Sequence, residues 1–305
     1  MSRLALFAGA VFAVCLTTPA YATDRFSLDI APVTFSGRYD ESQYRDQFQG
    51  SSIYIEGRPA SYFGFASAYE HTRIKYKGGI PDYRQNAIYL SGHASYSPAH
   101  ASGSYTFRLD LHSAKDVDKP DAEDNVHVIA PQISYAHRGH SLYVDLGYAD
   151  SRYANSSVAA GTLQITQWTP TLGFALNADA AHWLKLRGYF IHSSNPLRSQ
   201  HHTNTSAVAI SYLYYPLSSF KLMPRYIETT ILAGERIYAV DRDTVSVTNL
   251  DELEKGEIAL GAQWRISKYA SLRITGTYRK FSEQSYSGYN DYFQKSLSLG
   301  LVMHL

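Results

Sequence analysis

Apolar and polar residues alternate along most of the chain. Over 100–113, Tyr105, Phe107, Leu109 and Leu111 fall on one side, with Thr106, Arg108, Asp110 and His112 on the other. Over 255–266, Ile258, Leu260, Ala262, Trp264 and Ile266 oppose Glu257, Ala259, Gly261, Gln263 and Arg265. A period of two places each set on one face of a β-strand. The pattern predicts about fourteen strands. They lie near 25–38, 49–57, 61–76, 84–97, 100–113, 125–137, 140–152, 161–176, 181–194, 204–215, 222–235, 255–266, 269–282 and 293–305. Pro32, Pro131, Pro170 and Pro224 lie in or beside strands. Around Pro32 and Pro170 the apolar phase slips by one, which predicts bulges. The strand at 222–235 shows no clean face.

The connections alternate in length. Short ones fall at 57–60, 97–100, 138–140, 177–180, 216–221 and 267–268, and long ones near 39–48, 77–83, 114–124, 153–160, 195–203, 236–254 and 283–292. Short turns at one end and longer loops at the other, on an even number of strands, are the layout of membrane barrels. A barrel this wide cannot fill its interior with side chains. Its charged faces then line a wet lumen, its apolar faces meet hydrocarbon, and closure leaves no unpaired strand edge. The expected fold is all-β, an antiparallel up-and-down transmembrane barrel of about fourteen strands (about 12–16), with residues 23–305 as one domain.

The start of the chain reads differently. Arg3, the apolar run from Leu4 to Leu16, and "AYA" before Thr23 form a secretory signal peptide, with cleavage expected after Ala22. Cys15, the only cysteine, lies inside it, so the remainder has no thiol chemistry. A net charge of +1 gives no bulk basic surface and excludes nucleic acid as a partner. The 26 Tyr residues suit strands and membrane–water interfaces alike.

The final stretch "SLGLVMHL" resembles the C-terminal assembly signal of bacterial outer-membrane β-barrels. The matching positions are Ser298, Gly300, Met303 and Leu305, with Leu305 where an aromatic is usual. The resemblance to this porin-like class covers the whole chain after the signal. It implies the outer membrane of a Gram-negative bacterium, both termini periplasmic, and lipid, lipopolysaccharide and the barrel-assembly machinery as partners.

The candidate chemistry begins in the lumen. Asp29, Arg108, Asp110, Asp145, Lys185, Arg187, Glu257, Arg265, Arg273 and Arg279 all fall on inward positions. Rings of charge select solutes in a pore. The reading is a channel for small hydrophilic solutes, leaning to anions because basic residues predominate in the second half, with loop 236–254 as a candidate lid. A second reading rests on "HSSN", His192 to Asn195. This stretch is similar to the active-site motif of outer-membrane phospholipase A and lipid A 3-O-deacylase. That resemblance implies Ser194 as nucleophile and His192 as base, with Asn204 the nearest residue to orient the imidazole. Ca²⁺ would enter only with this hydrolase reading or as a bridge between the acidic runs 115–125 and 241–257 and lipopolysaccharide phosphates; solvated loops are the preferred reading of those runs, and no other cofactor is expected. A third reading is a barrel serving export or surface assembly.

Overall fold

A computed structural model describes residues 26–305, except 99–101, 120, 121, 123, 138, 140, 155–160, 217–222, 242–245, 248, 249, 251, 286 and 287. The signal-peptide expectation therefore lies outside the described residues. All fourteen expected strands form, each within a few residues of its expected bounds. They are β1 Ser27–Asp40, β2 Arg45–Ala60, β3 Phe63–Tyr76, β4 Tyr83–Tyr96, β5 Gly103–Asp116, β6 Val126–His137, β7 Leu142–Tyr153, β8 Leu163–Ala175, β9 His182–Ser193, β10 Asn204–Tyr214, β11 Tyr226–Arg236, β14 Leu253–Ser267, β15 Ala270–Ser285 and β16 Gly288–His304. Between β11 and β14 lies a small hairpin, β12 Val240–Asp241 and β13 Ser246–Val247. Every barrel strand pairs antiparallel with the next, and β16 returns to β1 to close the ring.

The alternation in the sequence is the alternation of the wall. Ile133, Leu146, Val208, Ile210, Ile258, Leu260 and Leu299 stand exposed on the outside. Their neighbours along each strand face the interior. A continuous apolar belt of this size is foreign to a water-soluble monomer and suits hydrocarbon. It forms on a closed barrel, where every ladder hydrogen bond is made within the protein.

Two expectations need correction. The register runs unbroken through Pro32 between β1 and β2, and through Pro170 between β7 and β8. The phase slips are not bulges there. They are apolar residues turned inward: Val33 and Phe35 on β1, and Leu163 and Ile165 on β8. The register shifts lie instead at Arg45/Gln47 and Gly57/Ala60, at Ala233/Arg236, and at Glu254/Gly256 and Arg265/Ser267. The rhythm of the connections is also looser than expected. The long loop expected near 283–292 is a tight hairpin, because β15 and β16 run on past the belt until Ser285 pairs with Gly288. Conversely, β11 begins only at Tyr226, two residues past Pro224, and not at 222 as expected.

The two ends of the barrel are distinct. The end that carries both chain ends, here the terminus end, holds β1's start and β16's finish. There Leu28 and Leu305 exchange backbone hydrogen bonds of 3.2 and 2.9 Å. On β16, Ser298 and Gly300 face inward, whereas Leu305 is 70% exposed on the outside. Gly300 sits close to the wall: a Cβ there would lie 3.2 Å from Val33 Cγ2. The opposite, loop end is where the chain folds back into the barrel.

Candidate functional site

The segment after β11 builds the interior. Gly234 takes φ +110°, and a side chain there would strike the backbone of Ser206 and Ala207. With the adjacent bulge, this turns Arg236 and the run Ile237–Val240 into the lumen. The run is apolar and needs an apolar bed. Val126, Val128 and Ala130 of β6, Ala149 and Tyr153 of β7, Leu163 and Ile165 of β8, and Ile191 of β9 supply it. Leu163 and Ile165 are the inward apolar residues behind the phase slip near Pro170.

Polar contacts fix the segment's position. Gln167 donates from Nε2 to the Val240 carbonyl at 2.8 Å, and its Oε1 accepts the Val240 N–H at 3.0 Å. The Tyr238 hydroxyl donates to the Arg198 carbonyl at 2.7 Å. Arg198 in turn donates to the carbonyls of Ala154 and Gly161, tying loop 194–203 to the β7–β8 loop. On its return the segment reaches the opposite wall. Leu250 packs against Tyr39, Ile74, Phe281 and Tyr292, and Glu252 pairs with Arg45. The lumen is thus crossed from β6–β9 to β1–β3 and β15–β16 at the loop end.

Beneath the crossing lies a cavity of ≈ 110 Å³. Lys185, Arg187, Arg236, Arg273 and Arg279 line it with Glu228, Asp241 and Glu257. Arg279 donates to Glu257 at 2.6 Å, and Arg236 bonds Glu254 at 2.9 Å with Glu257 at 3.5 Å and Asp241 at 3.8 Å. Lys185 stands 3.9 Å from Glu228. Arg273 makes no ion pair among the described residues and is exposed to the cavity. The lining carries five cations against three carboxylates; Glu254 stands behind Arg236 and Asp145 beside Arg187, and the exposed Arg273 leaves the surface that faces the cavity positive.

Of the ten lumen residues expected from sequence, five meet here: Lys185, Arg187, Glu257, Arg273 and Arg279. The others do not join them. Asp145 lies beside Arg187 in a separate ≈ 10 Å³ void. Arg108 and Asp110 form their own cluster on β5, bonded at 2.7 Å and both to the Tyr89 hydroxyl. Asp29 holds His304 at 2.8 Å at the terminus end. Arg265 is exposed at that rim, where Nε donates to the Ser267 carbonyl, and it lies outside the cavity lining. Glu228, Arg236, Asp241 and Glu254 were not expected. Glu228 was hidden because β11 shows no clean face, and Arg236, Asp241 and Glu254 sat in or beside a loop read as solvated.

The acidic runs also behave differently from each other. In the run 241–257 the carboxylates of Asp241, Glu252, Glu254 and Glu257 turn inward onto Arg45, Arg236 and Arg279, which corrects the solvated reading. In the run 115–125, Asp116 caps the N–H groups of Asp118 and Lys119, and a hydrogen bond from Arg84 holds the Asp118 carboxyl below its usual range. Among the described residues, no group of three or more His, Cys, Asp or Glu is placed to hold a metal ion.

On the outside, His192 and Asn204 pair directly across β9 and β10, with His192 Nδ1 3.0 Å from Asn204 Oδ1. Both face outward, as does Ser194. The Ser194 hydroxyl oxygen accepts the Gln164 N–H at 2.9 Å. Among the described residues no hydrogen bond joins Ser194 to His192.

No protein-family model matches the sequence, and no curated protein matches it. Solved structures do. The deltaS2 mutant of the TodX monoaromatic hydrocarbon channel has a TM-score of 0.52 at 11% identity, over 96% of this chain and 94% of that one. The deltaS2S3 mutant gives 0.52 at 9% identity, over 95% and 94%. The Pseudomonas putida toluene transporter TodX gives 0.50 at 8% identity, over 95% and 93%. At these identities the likeness is one of fold, a closed antiparallel barrel of the outer-membrane type, and it extends along nearly all of both chains.

Proposed function

We propose that the protein is an outer-membrane channel for small hydrophilic solutes with a preference for anions, narrowed at its loop end by the inward residues Ile237–Val240, Leu250 and Glu252. One observation carries the reading: a net-basic cavity enclosed by a barrel whose outer face is apolar. TodX is named for hydrocarbons. A cavity lined by eight ionisable side chains is a poor solvent for a hydrocarbon, because entry would strip water from charges and return no hydrogen bonds. The apolar bed is already filled by Ile237, Tyr238 and Val240. In this reading residues 1–22 direct export, both chain ends face the periplasm, and the β16 end bearing Ser298, Gly300, Met303 and Leu305 engages the barrel-assembly machinery. Purified protein in a planar bilayer is expected to give stepwise currents carried more by chloride than by potassium. Folded, inserted protein that stays silent at every voltage overturns the proposal.

The His192–Asn204 pair supports a second reading, an outer-leaflet lipid acyl hydrolase with Ser194 as nucleophile. A base held by a neighbouring amide is half of such a site. Fatty-acid release from phospholipid or lipid A by wild type, lost in Ser194→Ala, would establish it. No release from either protein, with or without Ca²⁺, removes it.

A further inference from the structure

The outer wall carries a second built feature above the apolar belt. At the loop end, four neighbouring strands present four cations around two carboxylates. Lys255 and Lys280 each bond Asp291 at 2.8 Å. Lys295 bonds Asp40 at 2.6 Å, and Arg38 approaches the same carboxylate at 3.3 Å. Arg38 faces Lys295 across the β1–β16 seam, and Tyr278 faces it across β15–β16, so the two clusters lie side by side. The Tyr278 and Phe293 rings stack at 5.4 Å between them, with Lys295 over Tyr278. Three of the cations are well exposed, Arg38 at 69%, Lys295 at 49% and Lys280 at 42%, and Lys255 is half-buried. One step down the same faces come Leu297, Gly276 and Leu260, in register on the belt itself.

We propose that this patch binds the headgroup of a membrane glycolipid bearing two phosphate groups, one near each cluster. The argument is placement and charge. A cation set on the lipid-facing wall, at the edge of the hydrocarbon, meets headgroups and not free solutes. Each cluster, two cations on one carboxylate, leaves one positive charge to attract one phosphate. The carboxylates hold the long side chains in place before binding, which lowers the cost of ordering them. The outward residues at the same level on β8–β10 are Gln164, Thr166, His192, Ser194, Asn204 and Ser206, with no Lys or Arg. On β3–β5 Arg73 and Arg84 also face outward, each on a carboxylate of its own, Asp82 and Asp118; sharing of each carboxylate by two cations sets the β14–β1 patch apart among the described residues of the outer wall. Tyr96, Tyr105, Tyr212 and Tyr269 are exposed on the wall at the terminus end. With both chain ends periplasmic, as proposed above, the loop end lies in the outer, phosphate-bearing leaflet. This rests on the membrane reading of the barrel and not on conduction.

The test is titration of the folded protein in nonionic detergent with bisphosphorylated lipid A, monophosphorylated lipid A, phosphatidylethanolamine and inorganic pyrophosphate. Bisphosphorylated lipid A is expected to bind most tightly. The Lys280→Gln/Lys295→Gln double variant should weaken it by about 30-fold, from the attraction of roughly two surface lysines to anionic lipid. The pair Lys75→Gln/Lys115→Gln, at the same end on β3 and β5, should leave it unchanged. Equal binding of the two lipid A forms by wild type overturns the two-phosphate site without requiring any variant. Equal losses from both double variants reduce the effect to diffuse charge and also overturn it. Pyrophosphate binding as tightly as the lipid would reassign the patch to a free anion. Chloride preference in zwitterionic bilayers should be the same in wild type and Lys280→Gln/Lys295→Gln, which keeps failure of this site distinct from failure of the channel.

Discussion

The contact between Gln167 and Val240 makes the inward segment testable by one substitution. Gln167 is 2% exposed and satisfies both backbone groups of Val240, inside a bed of Val, Ile and Leu. Gln167→Met keeps an unbranched side chain of similar length and removes both hydrogen bonds. Each bond contributes about 1 kcal/mol net, and each backbone group left dry costs about 1–3 kcal/mol more. When the segment swings out, those groups are rehydrated, so the loss falls on the docked state alone. Together these come to about 4–8 kcal/mol, and even half of the lower figure, about 2 kcal/mol, multiplies the weight of the undocked state by roughly 30. A wild-type channel undocked about 0.1% of the time would then be undocked for at least a few per cent. Single-channel recording at fixed voltage and salt reads this as open-time fraction. Gln164→Met is the control: it lies on the outer face of the same strand, where Gln164 bonds Asp150. If Gln167→Met folds normally and its open-time fraction stays within about twofold of wild type, the docking argument and its energies are wrong.

The buried charges give two further outcomes. Glu254→Gln removes the main partner of Arg236, both almost fully buried. Breaking such a pair costs about 3–5 kcal/mol, and the lower end applies because Glu257 and Asp241 remain near Arg236; urea unfolding from lipid vesicles, followed by Trp fluorescence, measures it. Arg273→Glu changes the cavity lining from five cations and three carboxylates to four of each, a net change from +2 to 0. The reversal potential across a potassium chloride gradient should then lose most of its anion preference, and an unchanged potential would place the selective region elsewhere.

Strand positions and their two faces could be read from alternation because a barrel wall leaves no other place for the residues to point. Leu146 and Leu301 lie outside and Asp110 and Asp145 inside, as their parity requires. What could not be read was the effect of a loop that folds back. Leu163 and Ile165 are inward because Ile237 and Val240 cover them, and in the sequence that appears only as a misplaced phase. The signal was nevertheless present in two places: the slipped apolar phase near Pro170, and an apolar run, Ile237–Val240, beside a loop otherwise rich in acids. Neither alone says that the two touch. Gln167 and Arg236 gain their meaning only from that contact.

The β1–β16 seam bears on how the ring comes into being. Its ladder joins Asp29 to His304 and Asp40 to Phe293, the most distant partners in the chain, whereas every other barrel pair joins strands that follow one another in chain order. Hairpins can assemble in sequence, each nucleating beside the last, but this ladder cannot begin until thirteen others exist. For that whole interval two long strands keep open margins, able to accept a foreign strand in place of each other. The last bond to form is therefore also the point of greatest vulnerability, and the tempo of assembly is set at a join that the finished molecule no longer reveals.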